Sequence, residues 1–254
     1  MINFAHRGAS GDYPENTLLA FKEGIKRGGN GIELDVHKTK DSELVVIHDE
    51  DVERTMQSKG LIKDLTLAEI RQLKCKKALF ANHEECRIPT LDEVLKLVKD
   101  QEIVVNIELK TDVISYSGIE EDVIKLIQHY GIKNKTLISS FNPQSLKKCK
   151  EIDSTIKTGF LYYQPMDDVI QYAKVLQVDA IHPGLNVVTE DLIIEAHKNQ
   201  LKVNVYTVNS PTHMLRLIDA GVDGIFTDYP KLLTEILEEE REKSSVEERL
   251  LCQH

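Results

Sequence analysis

Short apolar, β-branched runs alternate with amphipathic segments along almost the whole chain, and this alternation restricts the fold more than any other feature. The runs lie at 2–6, 31–37, 102–109, 135–140, 156–161, 178–182, 202–206 and 223–228, with helical patterns at 16–27, 90–99, 119–130, 143–150, 167–175, 189–199, 211–219 and 230–240. Runs such as Ile103-Val104-Val105-Asn106-Ile107 are nearly continuous in apolar character, as strands covered on both faces are. Eight strand–helix pairs within 254 residues match the arithmetic of an α/β fold of the (β/α)8 TIM-barrel kind, in one domain spanning 1–254. An open doubly wound sheet would be expected to carry a glycine-rich first turn, and the chain has none.

Two segments stand outside the repeat. Residues 38–89 read as a small insertion after strand two, with an extended stretch at 43–47 and a short helix at 66–73. Residues 235–254 read as an acidic helical tail, with seven Glu between Glu235 and Glu248 against Arg241 and Lys243. The formal charge of −10 argues against nucleic acid or an anionic membrane as a default partner. No apolar run reaches the roughly 20 residues of a membrane span. Cys75, Cys86, Cys149 and Cys252 show no metal or redox spacing and read as free thiols. With a first strand that begins at Ile2, leaving no room for a leader, the chain is expected to be cytoplasmic. Oligomeric state is left open, with Val246 to Leu251 as a segment able to mediate association.

The chemistry-bearing residues cluster at strand ends. His6-Arg7-Gly8 closes the first run, and Glu33 and Asp35 lie late in the second. His48-Asp49 follows the extended stretch, and Glu108 and Lys110 end the third barrel strand. Residues i and i+2 of a strand share a face, so Glu33 and Asp35 point together, as do Glu108 and Lys110. Active sites of (β/α)8 barrels lie at the carboxyl ends of the strands, where all of these fall. Three carboxylates converging at about 5 Å would repel by roughly 3 kcal/mol per pair at an effective dielectric of about 20. Such a cluster requires a divalent cation or neighbouring positive side chains, and oxygen-only ligands suit Mg2+ or Ca2+ over Zn2+.

These residues resemble those of the glycerophosphodiester phosphodiesterase family, (β/α)8 barrels that hydrolyse glycerophosphodiesters. The matching pieces are His6-Arg7-Gly8, Pro14-Glu15-Asn16-Thr17, Glu33-Leu34-Asp35-Val36, Thr39 and Asp41 leading to Val46-Ile47-His48-Asp49, Glu108-Leu109-Lys110 and Tyr206-Thr207-Val208-Asn209. The likeness runs from Ile2 to about Pro230. It implies that His6 and His48 act as general acid and base, that Glu33, Asp35 and Glu108 hold one divalent cation, Mg2+ or Ca2+, and that Arg7 and Lys110 hold the phosphodiester oxygens. The family often carries Trp where this chain has Tyr206, and the chain has no Trp at all, so head-group preference is not set by the likeness.

Further expectations concern the rim. His182 and Tyr206 are candidate substrate contacts, Ser139 to Phe141 are candidate pocket residues, and Asn16 serves either a helix cap or the site. His37, His83, His129, His197 and His213 are expected to be structural. The expected activity is metal-dependent release of glycerol 3-phosphate from a small-molecule glycerophosphodiester. Lysophospholipase D-type hydrolysis and a catalytically silent phosphodiester-binding barrel are the alternatives, the second of which needs a missing His or acid.

Overall fold

The computed structural model describes the backbone of residues 1–251 and the side chains of 1–243. Eight parallel strands form a closed barrel: β1 (Ile2–His6), β2 (Gly31–Lys38), β4 (Val104–Leu109), β5 (Thr136–Ser140), β6 (Lys157–Tyr162), β7 (Ala180–Pro183), β8 (Lys202–Val205) and β9 (Gly224–Thr227). Closure comes from pairing of β1 with both β2 and β9. Helices α1 (Leu18–Lys26), α3 (Leu91–Val98), α4 (Ile119–His129), α5 (Pro143–Ile152), α6 (Val169–Leu176), α7 (Glu190–Lys198), α8 (Pro211–Asp219) and α9 (Pro230–Leu251) follow the strands in turn. Every expected strand and helix is present, with ends displaced by one or two residues in most cases. The exception is α9, which carries the acidic tail on as helix to Leu251. Side chains of the association segment Val246 to Leu251, and Cys252 itself, lie outside the described residues.

The pleat sorts the strand residues into two sets. Outward-facing Ile32, Leu34, Val36, Val105, Ile107 and Leu109 pack beneath the helices with Val94, Leu95, Val98, Val123 and Ile127. A matching cluster on the other side gathers Ile181, Val203, Val205 and Ile225 under α6, α7 and α8. Inward-facing residues are polar at one end, which leaves the barrel mouth as the place where charge collects. Local signals agree with these elements: Thr17 caps α1, and Thr90 with Glu93 forms a reciprocal capping box on α3.

The 38–89 insertion has its own organisation. Strand β3 (Leu44–Val46) pairs antiparallel with the end of β2, outside the barrel. Helix α2 (Leu67–Ile70) is shorter than the 66–73 pattern suggested. Val45, Ile47, Val52, Met56, Ile62, Ile70 and Ile88 form a separate apolar cluster under the loops. This small core fixes the insertion against the mouth of the barrel and so fixes His48.

The turn after β1 depends on one glycine. Arg7 and Gly8 both have positive φ, 56° and 83°. A Cβ on Gly8 would lie 2.4 Å from the carbonyl carbon of Ala20 in α1, so only glycine combines this backbone with this close approach. Gly8→Ala is expected to cost about 1–3 kcal/mol, lowering the melting temperature by roughly 2–12 °C. Thermal denaturation followed by circular dichroism checks this; an unchanged midpoint would show that α1 yields freely.

Candidate active site

Consecutive strand ends deliver the acidic cluster. Register pairs His6 with Glu33 across β1 and β2, and Asp35 with Glu108 across β2 and β4. One carboxylate oxygen from each of Glu33, Asp35 and Glu108 lies within 4.8 Å of the others, and all three residues are buried. Their environments differ. Burial works against ionisation of Asp35, yet the guanidinium of Arg7, with Nε 3.3 Å away, the positive charges around it and the Asn16 amide donating at 2.8 Å hold it well below the usual carboxylate range. Burial and the neighbouring carboxylates push Glu33 well up. Burial first, then Asp35, pushes Glu108 up to about 7 against the pull of Lys110, whose Nζ donates to it at 2.9 Å. Two of the three acids are thus short of positive charge, and Glu33 Oε1 is buried without a hydrogen-bond partner. The set of oxygen donors fits a hard divalent cation.

The two histidines line one pocket of about 170 Å3, together with Arg7, Glu33, Asn106, Glu108, Phe141 and Tyr206. Each is held by a carboxylate through the same ring atom. His6 Nδ1 lies 2.7 Å from Asp228 Oδ1, and His48 Nδ1 lies 2.7 Å from Asp49 Oδ1. An ionised carboxylate only accepts, so Nδ1 of each ring carries the proton and Nε2 is left for chemistry. His48 Nε2 lies 3.4 Å from Lys110 Nζ, and His6 Nε2 lies 4.0 Å from Glu33 Oε2. Asp228 is itself held by Ser10 Oγ at 2.9 Å and Asn209 Nδ2 at 2.6 Å. Burial works against its charge, but these donors and His6 bring it down to about 2. Asp49 accepts from Arg54, which also grips Glu15; Glu15 in turn accepts from Arg7 at 3.0 Å.

Several placements were not legible in the sequence. Asp228 follows β9, 222 residues from His6; its one signal is an acid at the end of a barrel strand. Arg54 and Glu15 meet only because the insertion folds back over the turn after β1. Asn16 does not cap α1, where Thr17 does; its side chain is buried against Asp35. His37 is a packing residue with a task. Its Nε2 donates to the carbonyl of His48 at 3.1 Å, so its Nδ1 accepts from the Tyr116 hydroxyl at 2.9 Å. Tyr206 lines the pocket, and its hydroxyl is buried without a partner. Phe141 also lines it, whereas Ser139 and Ser140 stand behind the wall.

His182 is not on the rim where it was expected. It is fully buried, accepts from Asn204 Nδ2 at 3.0 Å, and packs against Phe226 with ring centres 5.2 Å apart. Burial lowers its pKa to about 3, which keeps it neutral. Its strand partner Leu161 and its ring partner Phe226 form the pocket wall in its place. The reason is the length of β7: the strand continues through Pro183, which leaves His182 in the packed interior.

Residues 6–232 match the sequence pattern of the glycerophosphoryl diester phosphodiesterase family. The chain is 42% identical over 233 residues to a glycerophosphodiester phosphodiesterase of Caldanaerobacter subterraneus subsp. tengcongensis, covering 92% of this chain and 96% of that one. It is 38% identical to another from Bacillus altitudinis, covering 93% and 98%. An Oleispira antarctica phosphodiesterase, solved in complex with the product sn-glycerol-3-phosphate, superposes with a TM-score of 0.84 at 26% identity, covering 92% of this chain and 96% of that one. With its barrel closed and its matching motifs gathered at one mouth, the chain belongs to the glycerophosphoryl diester phosphodiesterase family.

Proposed function

We propose that this protein hydrolyses glycerophosphodiesters to glycerol 3-phosphate and an alcohol, with His6 and His48 as the proton-transfer pair. One observation carries the reading: two imidazoles with Nδ1 tied to carboxylates and Nε2 left for proton transfer line a pocket that also holds Arg7, Glu33 and Glu108. The relatives named glycerophosphodiester phosphodiesterase and the product held by the Oleispira antarctica structure support the same substrate class.

A phosphodiester is an anion whose transition state gathers more charge, so fixed cations beside phosphorus favour it. Arg7 and Lys110 are the cations available, and both are held in place by acids. One histidine removes the proton from the free 2-hydroxyl of the glycerol moiety as that oxygen attacks phosphorus. The other protonates the departing alkoxide as the P–O bond breaks. Water then opens the cyclic phosphate, with the two histidines in exchanged roles. Glu33, Asp35 and Glu108 would hold one Mg2+ or Ca2+, which when bound supplies Lewis-acid stabilisation of charge on the phosphoryl oxygens. The orphaned Glu33 oxygen and the raised Glu33 and Glu108 carboxyls are the features that fit such an ion. Asp228 and Asp49 hold the rings in the tautomer the reaction uses.

His6→Asn and His48→Asn are each expected to lower kcat on glycerophosphocholine by roughly 100- to 10,000-fold while leaving the fold intact. Glycerol 3-phosphate release, assayed enzymatically, measures this; wild-type rates in either variant would remove that histidine from the mechanism. Asp228→Asn, which preserves shape but not charge, is expected to reduce kcat roughly 10- to 100-fold with little change in KM.

Protons and a cation compete for the same carboxylates. In the cation-free protein Glu108 titrates near 7 rather than near its unfolded value of 4.5. The cost of holding it ionised is therefore absent at the acid end and complete above about pH 7. The gain in melting temperature on adding Mg2+ or Ca2+ to EDTA-treated protein should grow as pH rises from about 4.5 to about 7, because the ion needs Glu108 and the likewise raised Glu33 ionised. A gain independent of pH across that window would place the ion elsewhere.

A further inference from the structure

The pocket continues below Glu108. Asn106 lies two residues before Glu108 on β4, on the same inward face, and pairs in register with Glu33 of β2, so it sits below Glu108 and next to Glu33. It is only 1% exposed yet lines the pocket, beside the apolar side chains of Leu161 and Phe226. Its Nδ2 donates to Ser139 Oγ at 2.9 Å, while its Oδ1 is buried and unpartnered. Ser139 is itself fully buried, so this hydrogen bond fixes the amide beside the recess and leaves its oxygen without a partner. A buried polar atom left open in this way is stable only when a partner completes it.

We infer that Asn106 binds the free terminal hydroxyl of the glycerol moiety and so sets the requirement for glycerol over simpler diol esters. The inference rests on the phosphodiesterase reading above. With phosphorus beside Arg7 and the histidines, the 2-hydroxyl stays at the level of the acids. The carbon beyond it then points into the recess, its chain against Leu161 and Phe226. A hydroxyl both donates and accepts, and it is the group that this single amide end completes. A carboxylate in the same recess would be repelled by Glu33, the register partner of Asn106 on β2, so a neutral group that donates a hydrogen bond is what the recess takes from the glycerol moiety.

The test compares glycerophosphocholine with the phosphocholine ester of propane-1,2-diol, which keeps the attacking 2-hydroxyl and lacks only the terminal one. Wild type should favour glycerophosphocholine by roughly 10- to 100-fold in kcat/KM. In Asn106→Leu that ratio should fall to near 1 through a larger loss on glycerophosphocholine than on the diol ester. Ser139→Ala, which frees the amide to rotate, should reduce the ratio partway and serves if the first variant does not fold. The melting-temperature gain from MgCl2 should be equal in wild type and both variants. A ratio near 1 in wild type, or one unchanged in both variants, overturns the assignment while leaving the phosphodiesterase reading in place. Loss of the MgCl2 gain in Asn106→Leu makes Asn106 a cation ligand instead and also overturns it. Failure of wild type to cleave either ester overturns the phosphodiesterase reading and this inference with it.

Discussion

Three carboxylates buried together at the mouth of a barrel set the terms for everything around them. At the spacing of Glu33, Asp35 and Glu108 their mutual repulsion is a sizeable fraction of a domain's net stability, which is only about 5–15 kcal/mol. The surroundings answer it unevenly. Arg7 and Asn16 stabilise Asp35 in its charged form, Lys110 partly compensates Glu108, and Glu33 has chiefly the backbone N–H and the charge of Arg7 to set against its burial. The site is therefore built with one acid fully ionised and two in need of further positive charge. That imbalance suits the cluster to a hard divalent cation, and it explains why Arg7 and Lys110 sit so close to acids.

The same charges hold His48 in a continuous frame. From His48 the chain of contacts runs through Asp49 and Arg54 to Glu15 and Arg7, and Arg7 reaches Asp35. Its members come from the turn after β1, from β2 and from the insertion. Here the insertion acts as a structural part of the site: its apolar cluster anchors the loop that carries His48, Asp49 and Arg54. His37 fixes the same loop from inside the barrel through the His48 carbonyl. On the opposite side, Asp228, Ser10 and Asn209 hold His6 independently. The two histidines thus have separate supports, His48 from the insertion and His6 from the end of the last strand.

Beneath the charged layer the interior changes character. Phe4 and Phe226 stack at 4.5 Å, His182 is kept neutral against Asn204, and Gly159 leaves the space that the His182 ring fills. Asn106 stands at the boundary: its amide nitrogen donates to Ser139, its oxygen has no partner, and the residue lines the pocket. Polar residues so deep in a barrel are tolerated because each has a neighbour on an adjacent strand to bond, as Asn106 has Ser139 and His182 has Asn204.

The barrel was readable from the chain because its strands are covered on both faces and its helices are not, so hydrophobic periodicity reports each element directly. Glu33 with Asp35, and Glu108 with Lys110, were readable because a two-residue spacing on a strand fixes a shared face whatever the rest of the fold does. Local chemistry could not place groups that meet across long stretches of sequence. Asp228 reaches His6 only when β9 closes on β1, and Arg54 reaches Glu15 only when the insertion packs down. His182 illustrates the converse: its position near a strand end suggested the rim, and one further residue of strand put it in the core. The sequence by itself determined which side chains face inward and at which end of the barrel the charge gathers, since both follow from the pleat. Depth, partners and ionisation were decided by tertiary structure alone, because they depend on barrel closure and on which distant groups share a low-dielectric space.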